Sequence, residues 1–200
     1  MNDVFTGKLV RLSAFDPEEM SKAWSRWNRN SEYFRLLNSS GRAIQSPRAG
    51  LKWMEEEVGE LSPAGYFFAI RTLADDRLIG ELALDVVNWP GRDAFVGLGI
   101  GETEYWGKGC GTDVMNVLLR FAFTEINLRR VSLSVFEYNP RAIRSYEKAG
   151  FCHEGRLRKV LNKEGRRWDV LLMGILREEW FEKNRIGSGA LQMSGEKENG

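Results

Sequence analysis

The stretch Trp106-Gly107-Lys108-Gly109-Cys110-Gly111-Thr112 separates an apolar, strand-like run at residues 95–100 from a helix-like run at residues 114–123. Because glycine has no Cβ atom, its backbone adopts dihedral angles that other residues avoid and approaches a ligand closely. At the start of a helix, unpaired backbone N–H groups and the helix dipole favour an anion. The stretch therefore predicts a loop that binds phosphate or pyrophosphate, and a tight turn without a ligand is the alternative.

Three classes of phosphate-binding loop share features with this stretch. A P-loop requires G-x-x-x-x-G-K-[ST], which is excluded because Lys108 lies between the glycines. A dinucleotide-binding loop requires G-x-G-x-x-G and an acidic residue at the end of the next strand. The spacing here is G-x-G-x-G, although Glu137 ends the next strand-like run, so this class stays weakly open. The acetyl-CoA loop, R/Q-x-x-G-x-G/A, matches in its second half, and Trp106 stands where arginine or glutamine is usual.

A segment further along the chain distinguishes these classes. Residues 139–151, NPRAIRSYEKAGF, resemble the N-x-x-A-x-x-x-Y-x-x-x-G-F segment of the GNAT acetyltransferase superfamily. Together with residues 105–112, 155–158 and 169–174, they are similar to the branch of ribosomal-protein N-terminal and spermidine acetyltransferases. The resemblance extends to about residue 184 and implies an N-acetyltransferase that uses acetyl-CoA. Such an enzyme moves an acetyl group to a primary amine, of a protein N-terminus or a small molecule, by direct attack of the amine on the thioester.

Two other functions remain as alternatives at this stage. A protein of the same fold that binds acyl-CoA without turnover would act as a sensor. A nucleotide-binding oxidoreductase would use the glycine stretch for its cofactor, but the missing G-x-G-x-x-G spacing and the segment at residues 139–151 argue against it.

The composition is that of an ordinary globular domain. The chain has 200 residues, 42% hydrophobic and 28% charged, with a net charge of +1 that gives no bulk attraction to nucleic acid or membrane. We see neither a signal peptide nor an apolar run of the roughly 20 residues that span a bilayer. Cys110 and Cys152 suggest neither a disulfide framework nor a metal site, and indicate a cytoplasmic protein. We expect one domain at residues 1–185 and a disordered polar tail at 186–200; the resemblance also suggests a homodimer.

The pattern of apolar residues predicts the order strand, two helices, three strands, helix, strand, helix and two strands. This order fits an α/β protein with the GNAT fold. That fold has a mixed, mostly antiparallel sheet of about seven strands, splayed between the fourth and fifth and flanked by helices. The glycine-rich run at residues 97–101 lies where the family carries a bulge in its fourth strand, and glycine within a strand often marks a bulge or a close backbone approach.

The resemblance assigns the cofactor-binding and acid roles. Acetyl-CoA is expected to contact the residues Leu98, Gly99, Ile100, Trp106, Gly107, Lys108, Gly109, Cys110, Gly111, Thr112 and Asn139. The backbone N–H near Ile100 is the expected donor to the oxyanion, and Tyr146 is the expected general acid. Asn139 also fits a helix N-cap before Pro140, and the alternative for Tyr146 is an aromatic ring packed on the sheet.

The general base is expected among the carboxylates near the acceptor. Glu81 and Asp85 lie four residues apart on one predicted strand, so alternation places both on the same face. Either could accept a proton directly or through water, and the alternative is that both face solvent. Glu102 and Glu104 are further carboxylates near the mouth of the expected cleft.

Several aromatic residues lie in segments that line the acceptor side in this family. These residues are Trp24, Trp27, Tyr33, Phe34 and Trp89. The two tryptophans on the first helix are three residues apart, a spacing that more often indicates core packing. Residues 33–45 lack an acidic cluster, and a polycationic acceptor would favour an acidic groove.

Overall fold

The computed structural model describes residues 3–39, 44–58 and 65–192, which form seven strands and six α-helices. The strands are β1 Val10–Ala14, β2 Gly65–Thr72, β3 Leu78–Asn88, β4 Asp93–Ile100, β5 Arg130–Phe136, β6 Cys152–Lys163 and β7 Arg166–Leu176. The helices are α1 Pro17–Trp27, α2 Ser31–Leu37, α3 Pro47–Val58, α4 Cys110–Arg120, α5 Pro140–Ala149 and α6 Arg177–Gln192.

All seven strands belong to one sheet, in the order β1-β2-β3-β4-β5-β7-β6. Neighbouring strands are antiparallel except β4 and β5, which run parallel. The parallel pair is short: it extends from Asp93↔Arg130 to Phe95↔Ser132, and the two strands then diverge. The prediction of a mixed sheet that splays between its fourth and fifth strands is confirmed.

Side chains on alternate positions of β4 belong to the two opposite faces of the sheet. Val96, Leu98 and Ile100 pack in the larger core together with apolar residues of α4 and α5. Gly97 and Gly99 belong to the opposite face, where α1 and α2 contribute to a second, smaller core. The gap between β4 and β5 therefore opens toward both faces of the sheet.

Two helices of this part of the fold differ from the sequence-based expectation. The helix-like run at residues 114–123 is divided between α4, which begins at Cys110, and a π-helical turn that follows it at Phe121–Glu125. The short apolar run before residue 38 forms α2, whose first turn is capped by Asn30 Oδ1, 2.9 Å from the Glu32 backbone N. A side-chain cap can start so short a helix, but packing against the rest of the fold is needed to stabilise it.

The last element of the described ranges is a helix that the sequence analysis did not predict. Helix α6 continues to Gln192, so the domain limit expected at residue 185 falls within it, and residues 193–200 lie outside the described ranges. Glu178 and Glu179 in its first turn favour a helix start, after which each glycine costs about 1 kcal/mol without ending the helix. Among the helices of the described ranges, none combines the length and apolar character needed to cross a bilayer.

The pairing of β3 with β4 is continuous from Gly80↔Ile100 to Val86↔Ala94, so residues 97–100 contain no bulge. The bulge lies at the end of the glycine-rich run, where the N–H groups of Gly101 and Glu102 both donate to the carbonyl oxygen of Ile79, at 2.8 and 3.2 Å. Gly99 permits a close approach between β4 and α2. A Cβ atom at Gly99 would lie 3.0 Å from the Tyr33 hydroxyl oxygen, so a larger residue there would crowd α2.

Candidate active site

A cleft of about 390 Å³ occupies the gap between the diverging ends of β4 and β5. On the face of α4 and α5 its wall contains the glycine stretch together with Arg141, Arg144 and Lys148, a set called the basic end below. On the face of α2 the wall contains apolar and aromatic side chains, which form the aromatic end. The aromatic end consists of Tyr33, Leu36, Leu37, Phe95 and Phe136.

The glycine stretch forms the start of α4. Gly107 has φ +74° and Gly109 has φ +90°, left-handed conformations that glycine adopts without strain. Gly109 is the N-cap of α4 and provides no side-chain hydrogen bond to the first turn. The backbone N–H groups of residues 110–112 precede the first intrahelical bond, from Asp113 N to Gly109 O, and these residues line the cleft. Such a helix start suits an anion.

Trp106 occupies the position at which the acetyl-CoA loop usually has arginine or glutamine. Its indole N–H donates to the carbonyl oxygen of Ile100 at 2.8 Å and thereby ties the glycine stretch to the end of β4. The guanidinium of Arg141 lies 3.6 Å from the centroid of the Trp106 ring. The cation beside the loop therefore comes from α5. Lys108, one of the expected contacts, is exposed and does not line the cleft.

Three basic side chains on α5 line the cleft and were missed by the sequence analysis. Arg141, Arg144 and Lys148 are spaced three and four residues apart, so they share one face of the helix. Burial lowers the pKa of Arg141, and the charge of Glu32 opposes that shift. Within the described ranges, no carboxylate forms a salt bridge with any of the three. Their helical spacing was the signal that could have revealed them.

The end of β4 directs backbone groups into the cleft. Gly101 N donates to Ile79 O of β3 at 2.8 Å. Because hydrogen-bonded and non-hydrogen-bonded positions alternate in an antiparallel ladder, the N–H groups of Leu98 and Ile100 point away from β3. The bond from the Trp106 indole to the Ile100 carbonyl fits this alternation. Since β5 has diverged at this level, both N–H groups are available to a molecule in the gap.

Two side chains at opposite ends of α5 line the same gap. Asn139 is the N-cap of the helix, and its Oδ1 accepts from Ala142 N at 3.2 Å, which leaves its Nδ2 group as a donor. Tyr146 is 8% exposed, and its hydroxyl forms no hydrogen bond with the described residues. Burial raises the pKa of Tyr146 to about 12, so it stays protonated at ordinary pH. The capping alternative for Asn139 is thus correct, and it leaves the amide free to donate.

Glu81 lies on β3, partly buried under α1 and α2. Its carboxylate accepts hydrogen bonds from the indole of Trp24 and from the hydroxyl of Tyr33, the latter at 3.5 Å. Burial raises the pKa of Glu81 to about 8, and the two hydrogen bonds oppose that rise only in part. Burial and the charge of Glu81 raise the pKa of Tyr33 well above its usual value. Glu81 itself does not line the cleft, but its neighbours Tyr33 and Gly99 do.

The other candidate carboxylates differ from Glu81 in their surroundings. Asp85 lies on the same face of β3, opposite Phe95, but it is exposed and outside the cleft wall. Glu102 is buried and accepts from Trp27 at 2.9 Å and from Arg77 at 3.0 Å. Burial alone would raise the pKa of Glu102, but its hydrogen bonds and nearby arginines outweigh burial and lower it.

Glu102 and Glu104 are held by ion pairs within the fold. Both carboxylates pair with Arg77, and neither residue lines the cleft. Asp85 makes no such pair in the described ranges, and burial raises its pKa. Glu81 is therefore the candidate base whose carboxylate hydrogen-bonds to a side chain of the cleft wall, Tyr33.

Of the five expected acceptor-side aromatics, only Tyr33 lines the cleft. Trp27 belongs to the smaller core, as its helical spacing suggested, and Trp24 packs on Trp53 with ring centroids 5.3 Å apart. Phe34 is buried and Trp89 is exposed. Leu36, Leu37 and Phe136 are wall residues that the sequence analysis missed, because nothing in their local pattern separates a cleft wall from a core.

The comparisons with known proteins agree with this geometry. A family model described as acetyltransferase (GNAT) domain matches residues 10–152. The chain belongs to this family. An uncharacterized N-acetyltransferase from the SPbeta prophage of Bacillus subtilis is 29% identical over 184 residues, 90% of this chain and 96% of the relative. The spermidine N(1)-acetyltransferase of Vibrio cholerae is 34% identical over 56% of this chain and 64% of its own length.

Solved structures show the same fold. The spermidine N-acetyltransferase of Vibrio cholerae in complex with CoA and spermine has a TM-score of 0.75 at 26% identity, covering 86% of this chain and 98% of that one. A GNAT-family acetyltransferase from Bacillus anthracis has a TM-score of 0.72 at 17% identity, covering 87% of this chain and 98% of that one. At this identity the similarity supports the fold and nothing further. This GNAT protein is an N-acetyltransferase that uses acetyl-CoA and transfers an acyl group to an amine. Within the described ranges, no group of three or more His, Cys, Asp or Glu side chains could hold a metal ion.

Proposed function

We propose that the cleft holds acetyl-CoA with its phosphates at the basic end and its thioester between β4 and β5, and that the amine enters from the aromatic end. The observation that carries this proposal is the course of the cleft through the splayed sheet. A helix start with unpaired N–H groups lies on one face, and the proton-accepting group Glu81 lies on the other. The donor and the acceptor thus approach the gap from opposite sides.

The residues of the basic end fit a pyrophosphate and a polar arm. The first N–H groups of α4 and the guanidinium of Arg141 supply donors for phosphate oxygens. The backbone of Leu98 and Ile100 and the amide of Asn139 supply donors along the gap, where the amide-containing pantetheine arm would lie. Acetyl-CoA supplies the activated acetyl group, and these residues of the chain hold that group in place.

Acetyl transfer forms a bond from the amine nitrogen to the carbonyl carbon and breaks the bond from that carbon to sulfur. The N–H of Ile100 stabilises the negative charge that develops on the carbonyl oxygen, and one such donor contributes about 3 kcal/mol. Glu81 accepts the proton that leaves the nitrogen, through the Tyr33 side of the wall or through water. Tyr146 donates its hydroxyl proton toward the departing sulfur, so one proton passes in total from the amine to the thiol.

The acceptor is a primary amine of a protein N-terminus or of a small molecule. Relationship to the Vibrio cholerae enzyme supports a small amine, since that enzyme is named for spermidine. A sensor that binds acyl-CoA without turnover would need the same basic end but no proton acceptor beside the gap. The raised pKa of Glu81 therefore favours an enzyme over a sensor.

One assay separates these possibilities. Release of CoA is measured with a thiol reagent over a panel of Ser-, Ala- and Met-starting peptides, spermidine, aminoglycosides and amino acids, while the melting temperature is followed with and without acetyl-CoA. Turnover together with stabilisation by acetyl-CoA is the expected result. Stabilisation without turnover would favour the sensor, and the absence of stabilisation would overturn the proposed cofactor site.

Two further proposals concern the state of the protein in the cell. We propose a homodimer, supported by the exposed edge strand β6, on which Leu157 and Val160 are 48% and 52% exposed. Sedimentation velocity should give twice the chain mass, and a monomer across the micromolar range would contradict it.

We propose a cytoplasmic location, supported by the unpaired cysteines Cys110 and Cys152. Fractionation of cells that express the tagged protein would test this location.

A further inference from the structure

The aromatic end contains no acidic group. Its wall consists of two aromatic rings on the strands, the buried ring of Tyr33 and the aliphatic side chains of Leu36 and Leu37. Among all the described residues that line the cleft, none is an aspartate or a glutamate. Phe95 is partly exposed at the opening, so an entering molecule meets apolar surface first.

The charged groups around this wall interact mostly with other residues of the chain. Arg35, on α2, pairs with Glu164 at 2.8 Å and lies 4.2 Å from the centroid of the Tyr138 ring. Lys163 lies 5.9 Å from the centroid of the buried Phe34 ring and donates to the carbonyl oxygen of Asn38. Two cations and one carboxylate, Arg35, Lys163 and Glu164, therefore lie together beside α2. This group offers no net negative charge that would attract a molecule with several positive charges.

The two carboxylates of β3, Glu81 and Asp85, lie on this face of the sheet, and Glu32 on α2 is exposed, with its charge acting on Arg141 of the basic end. Glu81 lies behind the wall and contacts Tyr33, so it can serve one amine at the reacting position. Asp85 lies four residues further along β3, exposed and outside the cleft wall. A second ammonium that follows the first into the cleft would therefore face apolar side chains. Placing an ammonium there without a partner is strongly unfavourable, whereas burying the apolar body of a molecule against these side chains is favourable.

From these observations, and resting on the proposed function, we infer that the acceptor is a monoamine: one primary amine on an apolar or aromatic body with no further positive charge. The wall accepts the body and Glu81 accepts the proton. This class differs from spermidine and spermine, the polyamines named for the related Vibrio cholerae proteins. The difference follows from the side chains of the wall rather than from the shared fold.

The decisive comparison uses two acceptors of equal length. Hexylamine and 1,6-diaminohexane differ by one terminal ammonium, and 2-phenylethylamine and spermidine extend the series in each direction. With saturating acetyl-CoA, we expect kcat/KM to be at least about tenfold higher for hexylamine than for the diamine, and higher for phenylethylamine than for spermidine. Equal or higher values for the diamine or for spermidine would overturn the inference.

The result is separable from a failure of the proposed function. If acetyl-CoA stabilises the protein and peptides or polyamines are acetylated but neither monoamine is, the monoamine inference fails while the enzyme assignment stands. If acetyl-CoA neither stabilises the protein nor supports turnover of any amine, the proposed function itself fails. The thermal shift with acetyl-CoA therefore accompanies every acceptor measurement.

A matched pair of variants tests the electrostatic reason. Leu36→Glu introduces a carboxylate into the wall, and Leu36→Gln introduces a side chain of the same shape without charge. Leu36 is half-buried, so both polar side chains can reach solvent. We expect the ratio of kcat/KM for the diamine to that for hexylamine to be about tenfold higher in the Glu variant than in the Gln variant. Equal ratios in two variants with normal melting transitions would overturn the electrostatic argument.

Discussion

The two ends of the cleft are built in different ways. The basic end depends on backbone N–H groups at the start of α4 and on cations spaced along α5, so each part comes from a continuous segment. The aromatic end combines α2, β4 and β5, and the carboxylate behind it that we propose as the proton acceptor, Glu81, comes from β3. Every acetyl-CoA molecule carries the same pyrophosphate, so backbone N–H groups of one short segment can recognise it. The acceptor is recognised by side chains from several segments, which only the packing of the fold brings together.

The largest effect is expected where the two ends meet, at Tyr146. Tyr146→Phe removes only the hydroxyl that we propose as the proton donor to sulfur, so kcat should fall about 100- to 1000-fold. The KM for acetyl-CoA and the melting temperature should change little, because this hydroxyl forms no hydrogen bond with the described residues. Steady-state CoA release measures both constants.

Tyr66→Phe is the matched control for that variant. The Tyr66 ring packs on Phe121 outside the cleft, with centroids 5.3 Å apart, so its kcat should stay within about twofold of the parent. A Tyr146→Phe enzyme that also stays within that range would remove Tyr146 from the proposed chemistry.

The next largest effect tests the acceptor side through Glu81→Gln. Since the carboxyl has a pKa of about 8, its basic form is populated only as the pH rises through that value. The parent should therefore gain kcat/KM through pH 8, and the Gln variant should lose about 10- to 100-fold at pH 8.5 together with this inflection. Asp85→Asn, on the same face but outside the cleft wall, should retain both rate and inflection. If Asp85→Asn removes the inflection and Glu81→Gln does not, then Asp85 rather than Glu81 is the general base.

The same carboxyl should influence stability in a definite direction. Its pKa in the fold, about 8, lies above the ordinary value of 4.5, so folding favours the protonated form. Stability from this group is complete below pH 4.5 and is lost as the pH rises through 8, by at most ~5 kcal/mol. Glu81→Gln should therefore lose less melting temperature than the parent between pH 5 and pH 9. A parallel loss in both proteins would contradict the raised pKa.

A smaller effect, confined to the donor, is expected at Gly107. Gly107→Ala and Gly165→Ala are closely matched, since φ is +74° and +69° and no atom lies within 4 Å of either added Cβ. Each should cost about 1–2 kcal/mol of stability through the left-handed conformation. Only Gly107→Ala should raise the KM for acetyl-CoA, about tenfold, because only that loop carries the N–H groups at the cleft. Equal KM values in the two variants would show that the glycine stretch is a turn without a ligand.

The smallest effect separates charge from shape at the basic end. Arg144→Gln removes one cation without a salt-bridge partner in the described ranges, so the KM for acetyl-CoA should rise about three- to fivefold at low salt. With S-acetylpantetheine, which has no pyrophosphate, the same variant should match the parent. Arg158→Gln, on the exposed strand β6, is the control and should leave both substrates unaffected. A defect with both substrates would place Arg144 in the acetyl-binding part of the cleft.

Local sequence patterns predicted the parts of the molecule that local interactions stabilise. The alternation of apolar residues predicted the seven strands, and Asn139 and Gly150 mark the start and end of α5 through a cap and a left-handed φ of +113°. The same-face placement of Glu81 and Asp85 also follows from alternation alone. The glycine pattern did not say where in β4 the bulge lies, because a glycine within a strand fits a bulge and a close approach equally well. The neighbours distinguish them: Tyr33 lies close to Gly99, whereas Gly101 and Glu102 both donate to Ile79.

The sequence by itself therefore determined the family, the fold and the glycine-rich start of α4, since each depends on residues that are close along the chain. The tertiary structure decided which of the two carboxyl groups on β3 has its pKa raised to about 8. Glu81 differs from Asp85 because Trp24 and Tyr33, 57 and 48 residues away along the chain, cover it and remove water from it. Desolvation depends on what packs around a group in space, and no spacing along a strand encodes it.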